Sequence, residues 1–211
     1  SSTSRGLGDV YKRQGLYKKE DFRDNCGFGL VANINGVKSN QVIINSINAL
    51  ISMTHRGGVG SDGKTGDGCG LLFDIDKKYF NDVISQEQNI DLGEYFAIGQ
   101  LFFSGDVLTI LPKINKLLKS ENLQLITHRN VPVNRDILGK IALDCIPNIY
   151  QLFIKSINES SNQDSFETSL IQARKFIEEI FMDDEKLYFC SMSSKTLSLI
   201  HISEPTRRRG I

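Results

Sequence analysis

The chain reads as a mixed helix-and-sheet domain, α/β or α+β, and three observations carry that reading. Apolar residues alternate at period two in Phe28-Leu30-Ala32-Ile34 and run nearly unbroken from Tyr95 to Phe103, as strands require. Between such stretches they recur at three- and four-residue spacing, as in Ile43, Ile47, Leu50 and Ile51, which is the period of a helix face. The 211 residues are 40% hydrophobic, with no internal repeat and no low-complexity tract, and residues 15–196 suit one domain of ordinary size with a real core.

The two ends call for separate treatment. Codons for Asp9-Val10-Tyr11-Lys12-Arg13-Gln14 can be chosen so that their reverse complement encodes Leu197-Ser198-Leu199-Ile200-His201-Ile202. The same mirror relates Ser4-Arg5-Gly6-Leu7-Gly8 to Ser203-Glu204-Pro205-Thr206-Arg207. An inverted DNA repeat at two ends of one reading frame points to translated sequencing-library adaptor. Residues 1–14 and 197–211 are therefore set outside the expected fold. The whole chain holds 25 basic and 25 acidic residues. Arg5, Lys12, Arg13, Arg207, Arg208 and Arg209 fall in the excluded ends, as do Asp9 and Glu204, leaving 19 basic against 23 acidic. A mildly acidic remainder gives no reason to expect a nucleic-acid partner.

In chain order, Gly15 to Asn25 is a polar, charged lead-in. Phe28 to Ile34 is a strand, and Asn35-Gly36 a turn. Ser39 can cap the helix carrying Ile43 to Ile51, which stops near Thr54 before a glycine-dense loop. Leu71 to Ile75 is a strand, Lys77 to Ser85 a helix, and Tyr95 to Phe103 a buried strand. Leu108 to Leu118 has a helical period whose start is blurred by Pro112. Leu123 to His128 is a strand, Asp136 to Leu143 a short helix, and Ile149 to Ile154 a strand. After a polar loop, Asp164 and Glu167 resemble a capping box before the helix carrying Leu170, Ala173, Ile177 and Ile180. Leu187 to Met192 is the last strand.

No apolar run approaches the ~20 residues that span a bilayer, so no membrane partner is expected. Cys26, Cys69, Cys145 and Cys190 show no CxxC spacing, which argues against a zinc site or a disulfide framework and suits a reducing, cytoplasmic-type compartment. No metal or cofactor is expected in this chain.

Chemistry concentrates between Cys26 and Gly70. Gly58 to Thr65 fits the phosphate-loop pattern G-x-x-x-x-G-K-[ST], yet a helix precedes it and a strand follows it, the reverse of the order that aims a helix N-terminus at phosphate. Gly66, Gly68 and Gly70 lack the strand-turn-helix setting of a dinucleotide site. Cys26 is either a nucleophile or a small buried hydrophobe. Cys69, Cys145 and Cys190 take the second reading, and Cys190 beside Leu187-Tyr188-Phe189 favours a core place. His55 and His128 have no spacing that pairs either with Cys26, and fit structural or surface roles. Arg56 beside Gly57-Gly58 either holds a carboxylate or is a solvated loop arginine.

Taken together, Leu16-Tyr17, Arg23-Asp24-Asn25-Cys26-Gly27-Phe28-Gly29, Thr54-His55-Arg56-Gly57-Gly58-Val59-Gly60-Ser61-Asp62 and Lys64-Thr65-Gly66-Asp67-Gly68 resemble the start of the glutamate synthase large chain. Asn130-Val131-Pro132-Val133-Asn134 and Tyr188 to Thr196 fit as well, so the resemblance covers residues 15–196. Cys69 stands where the family has a smaller residue.

The resemblance implies a class II glutamine amidotransferase domain. Its fold would be that of an N-terminal-nucleophile hydrolase, a four-layer αββα sandwich of helices outside two packed sheets, incomplete at the C-terminus. Residues 15–25 would be a pro-segment and 26–196 part of the domain. Cys26, freed at its amine, would be the catalytic nucleophile and L-glutamine its substrate. Arg56 would contribute to substrate binding, the remaining binding groups lying past Thr196. FMN, an iron–sulfur cluster and the 2-oxoglutarate site would belong to downstream synthase domains, served by a small electron-donating subunit. The compartment would be the cytoplasm, or the plastid stroma in a photosynthetic eukaryote. This chain alone would be a poor glutaminase. Alternatives are an asparagine- or purine-pathway amidotransferase, and a phosphate-binding module using Gly58 to Thr65.

Overall fold

The computed structural model describes residues 27–66, 68–158, 162–181 and 187–200. Cys26, the 15–25 lead-in and residues 1–14 and 201–211 lie outside the described residues. Four strands form one antiparallel sheet in the order β3-β4-β2-β5. They are β2 (Ala97–Phe103), β3 (Leu123–Asn130), β4 (Asn148–Ser156) and β5 (Leu187–Ser193). β2 pairs on both edges, with β4 and with β5, and all seven of its residues are buried. A nearly continuous apolar run is what such a doubly covered central strand demands.

Ala97, Leu101 and Phe103 of β2 and Tyr150, Leu152 and Ile154 of β4 point to one face. There they meet α3 (Leu111–Ser120) through Ile114 and Leu118, and α5 (Gln163–Ile180) through Phe166, Leu170, Ala173 and Ile177. The spacing of four, three and four puts those α5 residues on one stripe. Ile180, expected on that stripe, is instead exposed, and Phe181 takes the buried place. The other face carries Ile98 and Phe153 against Phe80 and Ile84 of α2 (Lys77–Gln88) and against Phe96 and Leu197. Phe153 lies between the rings of Phe80 and Phe96, each 6.0 Å away.

β1 (Gly70–Asp74) pairs antiparallel with β6 (Thr196–Ile200), Phe73 opposite Leu197. The sequence reading placed 197 onward outside the fold, and the structure differs there. Leu197 is 1% exposed, and Ser198 N donates to Ser191 Oγ at 3.1 Å. Alternating Leu197, Ser198 and Leu199 meet what a strand slot asks of any sequence, apolar groups inward at period two. Helices and antiparallel sheet make the class α+β.

Two further expectations change. Phe28 to Ile34 forms no strand, although the turn survives, with Gly36 at φ +68° and its N–H on Asn33 O at 3.0 Å. Phe28 and Leu30 are over nine-tenths exposed, and no described strand lies beside them to complete a ladder. Asp164 is also not the cap of α5. Asn162 is, accepting from Ser165 N at 2.8 Å, while Glu167 turns away to accept from Ser193 Oγ at 3.0 Å and Ser194 N at 2.6 Å. The helix starts earlier than the capping box implied, so Glu167 sits too far along to reach back. The short helix expected at Asp136 to Leu143 lies slightly later, as α4 (Lys140–Cys145). Pro112 falls in the first turn of α3, where its missing N–H costs nothing.

Candidate functional site

The helix α1 (Asn40–Ser52) leads into the glycine-dense loop. Ser39 stands at its N-cap without a side-chain bond to the helix, and none of its residues is buried. A single 3-10 turn, Thr54–Arg56, follows, and Thr54 Oγ donates to Ile51 O at 2.5 Å. His55 Nδ1 lies 3.0 Å from Ser52 O at the surface, as expected of a local structural histidine. Arg56 closes that turn, so the backbone places it at the mouth of the loop. His128 is far off on β3, where its carbonyl accepts from Gln88 Nε2 at 2.8 Å.

From Gly58 to Gly66 the loop folds on itself. Val59 bridges Gly66, Gly60 N donates to Thr65 O at 2.6 Å, and Gly63 turns at φ +69°. The carboxylate of Asp62 organises the interior. It accepts from Thr65 N at 2.8 Å, Lys64 N at 3.1 Å and Thr65 Oγ at 2.5 Å. It then reaches across 79 positions of sequence to accept from Ile141 N at 3.1 Å, and Ala142 N donates to Thr65 Oγ at 3.3 Å. Asp62 thus caps α4 from another part of the chain. The Thr65 hydroxyl and this set of amides hold its carboxyl well below the usual carboxylate range.

This geometry decides against the phosphate-loop reading. The amides of Lys64 and Thr65, which a phosphate would need, already donate to an anion that the chain supplies itself. The loop also lies between a helical turn and β1, and the N-terminus of α4 that faces it is already occupied by Asp62 and Thr65.

Sequence reasoning missed Asp62, Thr65 and Gly139 as a unit. Gly139, the residue before α4, is where the loop seats. A Cβ there would stand 2.3 Å from Asp62 Oδ2, 2.4 Å from Thr65 Oγ and 2.7 Å from Thr65 N. Gly139→Ala is therefore expected to cost about 1–3 kcal/mol through overpacking. Thermal unfolding reads this, and an unchanged midpoint would show that the loop does not depend on the contact.

Of the other cysteines, Cys69 and Cys145 are exposed, against the small buried hydrophobes expected of them, since one precedes β1 at the end of the loop and the other ends the unburied helix α4. Cys190 departs from its expected core place. The pairing of β2 with β5 shifts register there, Leu101 opposite Phe189 and Gln100 opposite Ser191, so Cys190 is the extra residue of a bulge. It is half-buried, and its Sγ donates to Ser198 Oγ at 3.2 Å. No helix among the described residues is long and apolar enough to cross a membrane.

The family of class-II glutamine amidotransferases matches residues 26–203, opening at Cys26. The chain belongs to that family. It is 36% identical over 183 residues to ferredoxin-dependent glutamate synthase 1, chloroplastic/mitochondrial, of Arabidopsis thaliana, covering 83% of this chain and 11% of that one. It is 35% identical over 192 residues to the glutamate synthase [NADPH] large chain of Bacillus subtilis (strain 168), covering 88% and 12%. Against glutamate synthase [NADH] of Saccharomyces cerevisiae it is 32% identical over 198 residues, covering 88% and 9%. The amidotransferase chain thus spans about a tenth of the length of these relatives. The self-ligated loop and its seat on α4 both lie inside the amidotransferase match.

Proposed function

We propose that this chain is the glutamine-hydrolysing portion of a glutamate synthase, with Cys26 as nucleophile. The observation that carries the reading is a class-II amidotransferase match that opens at Cys26, in a chain whose compared relatives are glutamate synthases. An asparagine- or purine-pathway amidotransferase has no comparable support.

Once Cys26 is residue one, its α-amine titrates near ~7.7–8.0 and can take the thiol proton at neutral pH. The thiolate then attacks the side-chain amide carbon of glutamine. The C–N bond breaks, the α-ammonium returns the proton to the leaving ammonia, and water hydrolyses the thioester to glutamate. No histidine is needed. Arg56, beside the loop, is the proposed contact for the substrate carboxylate.

In the longer protein the ammonia would be added to 2-oxoglutarate, with FMN and an iron–sulfur cluster held by other domains and electrons drawn from a donor subunit or ferredoxin. A four-layer αββα sandwich and a cytoplasmic or plastid setting belong to the same reading. So does the adaptor origin of residues 1–14 and 197–211, which rests on the inverted DNA repeat. The test is ammonia release from glutamine by the longer protein, with Cys26→Ala as blank. Turnover should fall to background in the variant, and unchanged turnover would overturn the assignment of Cys26.

A further inference from the structure

An open pocket of about 380 Å³ lies where the turn between β5 and β6 meets the ends of β1 and α2. Lys38, Asp74, Lys77, Gln163, Ser194 and Lys195 line it. Three lysines thus share the lining with one carboxylate, Asp74, and Asp164 stands just outside it against Lys195. Lys38 is held by Asp74 at 3.6 Å and Lys195 by Asp164 at 3.2 Å, and both pairs are well exposed. Exposed pairs of this kind contribute little and yield to a better partner. Glu167, whose charge also bears on Lys77, is already engaged by Ser193 Oγ and Ser194 N.

Lys77 is the deepest of the three. Its Nζ donates to the Phe96 carbonyl and lies 4.1 Å from the centre of the Phe96 ring, with no carboxylate in contact. Burial pushes its pKa down to about 8, with Glu167 pulling upward and Lys38 downward. Such an ammonium gains from any anion that arrives. Ser194 is 6% exposed, and its Oγ lacks a hydrogen-bond partner, which leaves an unused hydroxyl in the same wall.

We propose that this pocket binds a small doubly charged oxyanion, phosphate or a short dicarboxylate, with Lys77 and Ser194 on the inside and Lys38 and Lys195 at the rim. The volume admits such an ion with part of its hydration, and the cationic groups of the lining are all lysine ammonium groups, point charges that take a phosphate or a carboxylate alike.

The test is calorimetric titration of the 211-residue chain with sodium phosphate and with sodium malonate, at constant ionic strength and with chloride as control. Saturable one-site binding of either dianion is expected, and which of the two binds assigns the ligand. Lys77→Met should weaken it about tenfold and Lys77→Arg should restore most of it. Lys116→Met, on α3, should leave it unchanged. Should Lys77→Met unfold, as circular dichroism would reveal, the double variant Lys38→Met/Lys195→Met is read in its place, with the same expected loss. No saturable heat from either dianion, equal heat from chloride, or an undiminished affinity in the folded lysine variants would overturn the proposal.

Discussion

Phe153→Ala is expected to cost about 3–5 kcal/mol, the range for removing a buried aromatic ring. The side chain is fully buried on β4 and packs between the rings of Phe80 and Phe96. Those two rings belong to different parts of the chain, α2 and the residue before β2, so neither can follow the other into the void. At about 2–4 °C per kcal/mol for a chain of this size, the midpoint should drop by roughly 6–20 °C. Ile180→Ala, at an exposed position of α5, should stay within about 0.5 kcal/mol. A midpoint for Phe153→Ala within a degree or two of the parent would mean that this side of the sheet is not a packed core.

The second large effect concerns the residue before Cys26, the proposed nucleophile. If Asn25 is retained ahead of Cys26 in the longer protein, glutamine hydrolysis should fall by about 10²–10⁴, the range that a positioned general base contributes. The nitrogen of Cys26 would then be an amide, with its lone pair delocalised into the carbonyl and unable to take the thiol proton. Thiol alkylation should continue at a reduced rate, because the thiol remains in place. The check pairs N-terminal sequencing with a glutaminase assay on a variant whose Asn25–Cys26 bond resists processing. Full turnover from molecules that still carry Asn25 would remove the α-amine from the mechanism.

Much of the architecture was legible in the residues. Tyr95 to Phe103 and Ile149 to Ile154 read as strands because the central strands are covered on both faces, although the first begins only at Ala97 and leaves Tyr95 exposed. Lys77 onward read as a helix, and its cap is local, Asp76 accepting from Tyr79 N at 3.1 Å. What escaped was non-local. The bond from Ile141 N to Asp62 joins a loop to the first turn of a helix 79 positions away, and no window of sequence contains both. Cys190 escaped because a bulge changes the inward parity of β5, so that Met192 rather than Ser191 joins Phe189 in facing the helices. Phe28 to Ile34 carries the alternation of a strand, but a strand is a property of two segments, and its partner is not among those described. Pattern can nominate a strand without supplying its neighbour. The family, by contrast, was legible in full, because short runs around Cys26, Arg56 and Gly66 hold identities rather than periods.

The contrast between β2 and α1 extends to how the molecule opens. β2 is bonded on both edges beneath helices, whereas α1 buries no residue and leaves Ile43, Ile44, Ile47 and Ile51 in water. Stability in this chain is then not one number but a gradient. Amides at the centre of the sheet exchange with solvent only through global unfolding, while those of α1 exchange through a local excursion that costs far less. The glycine loop joins that unburied helix at one end and is tied by Asp62 to α4 at the other, so the expected order of exchange runs from α1 through the loop to the sheet.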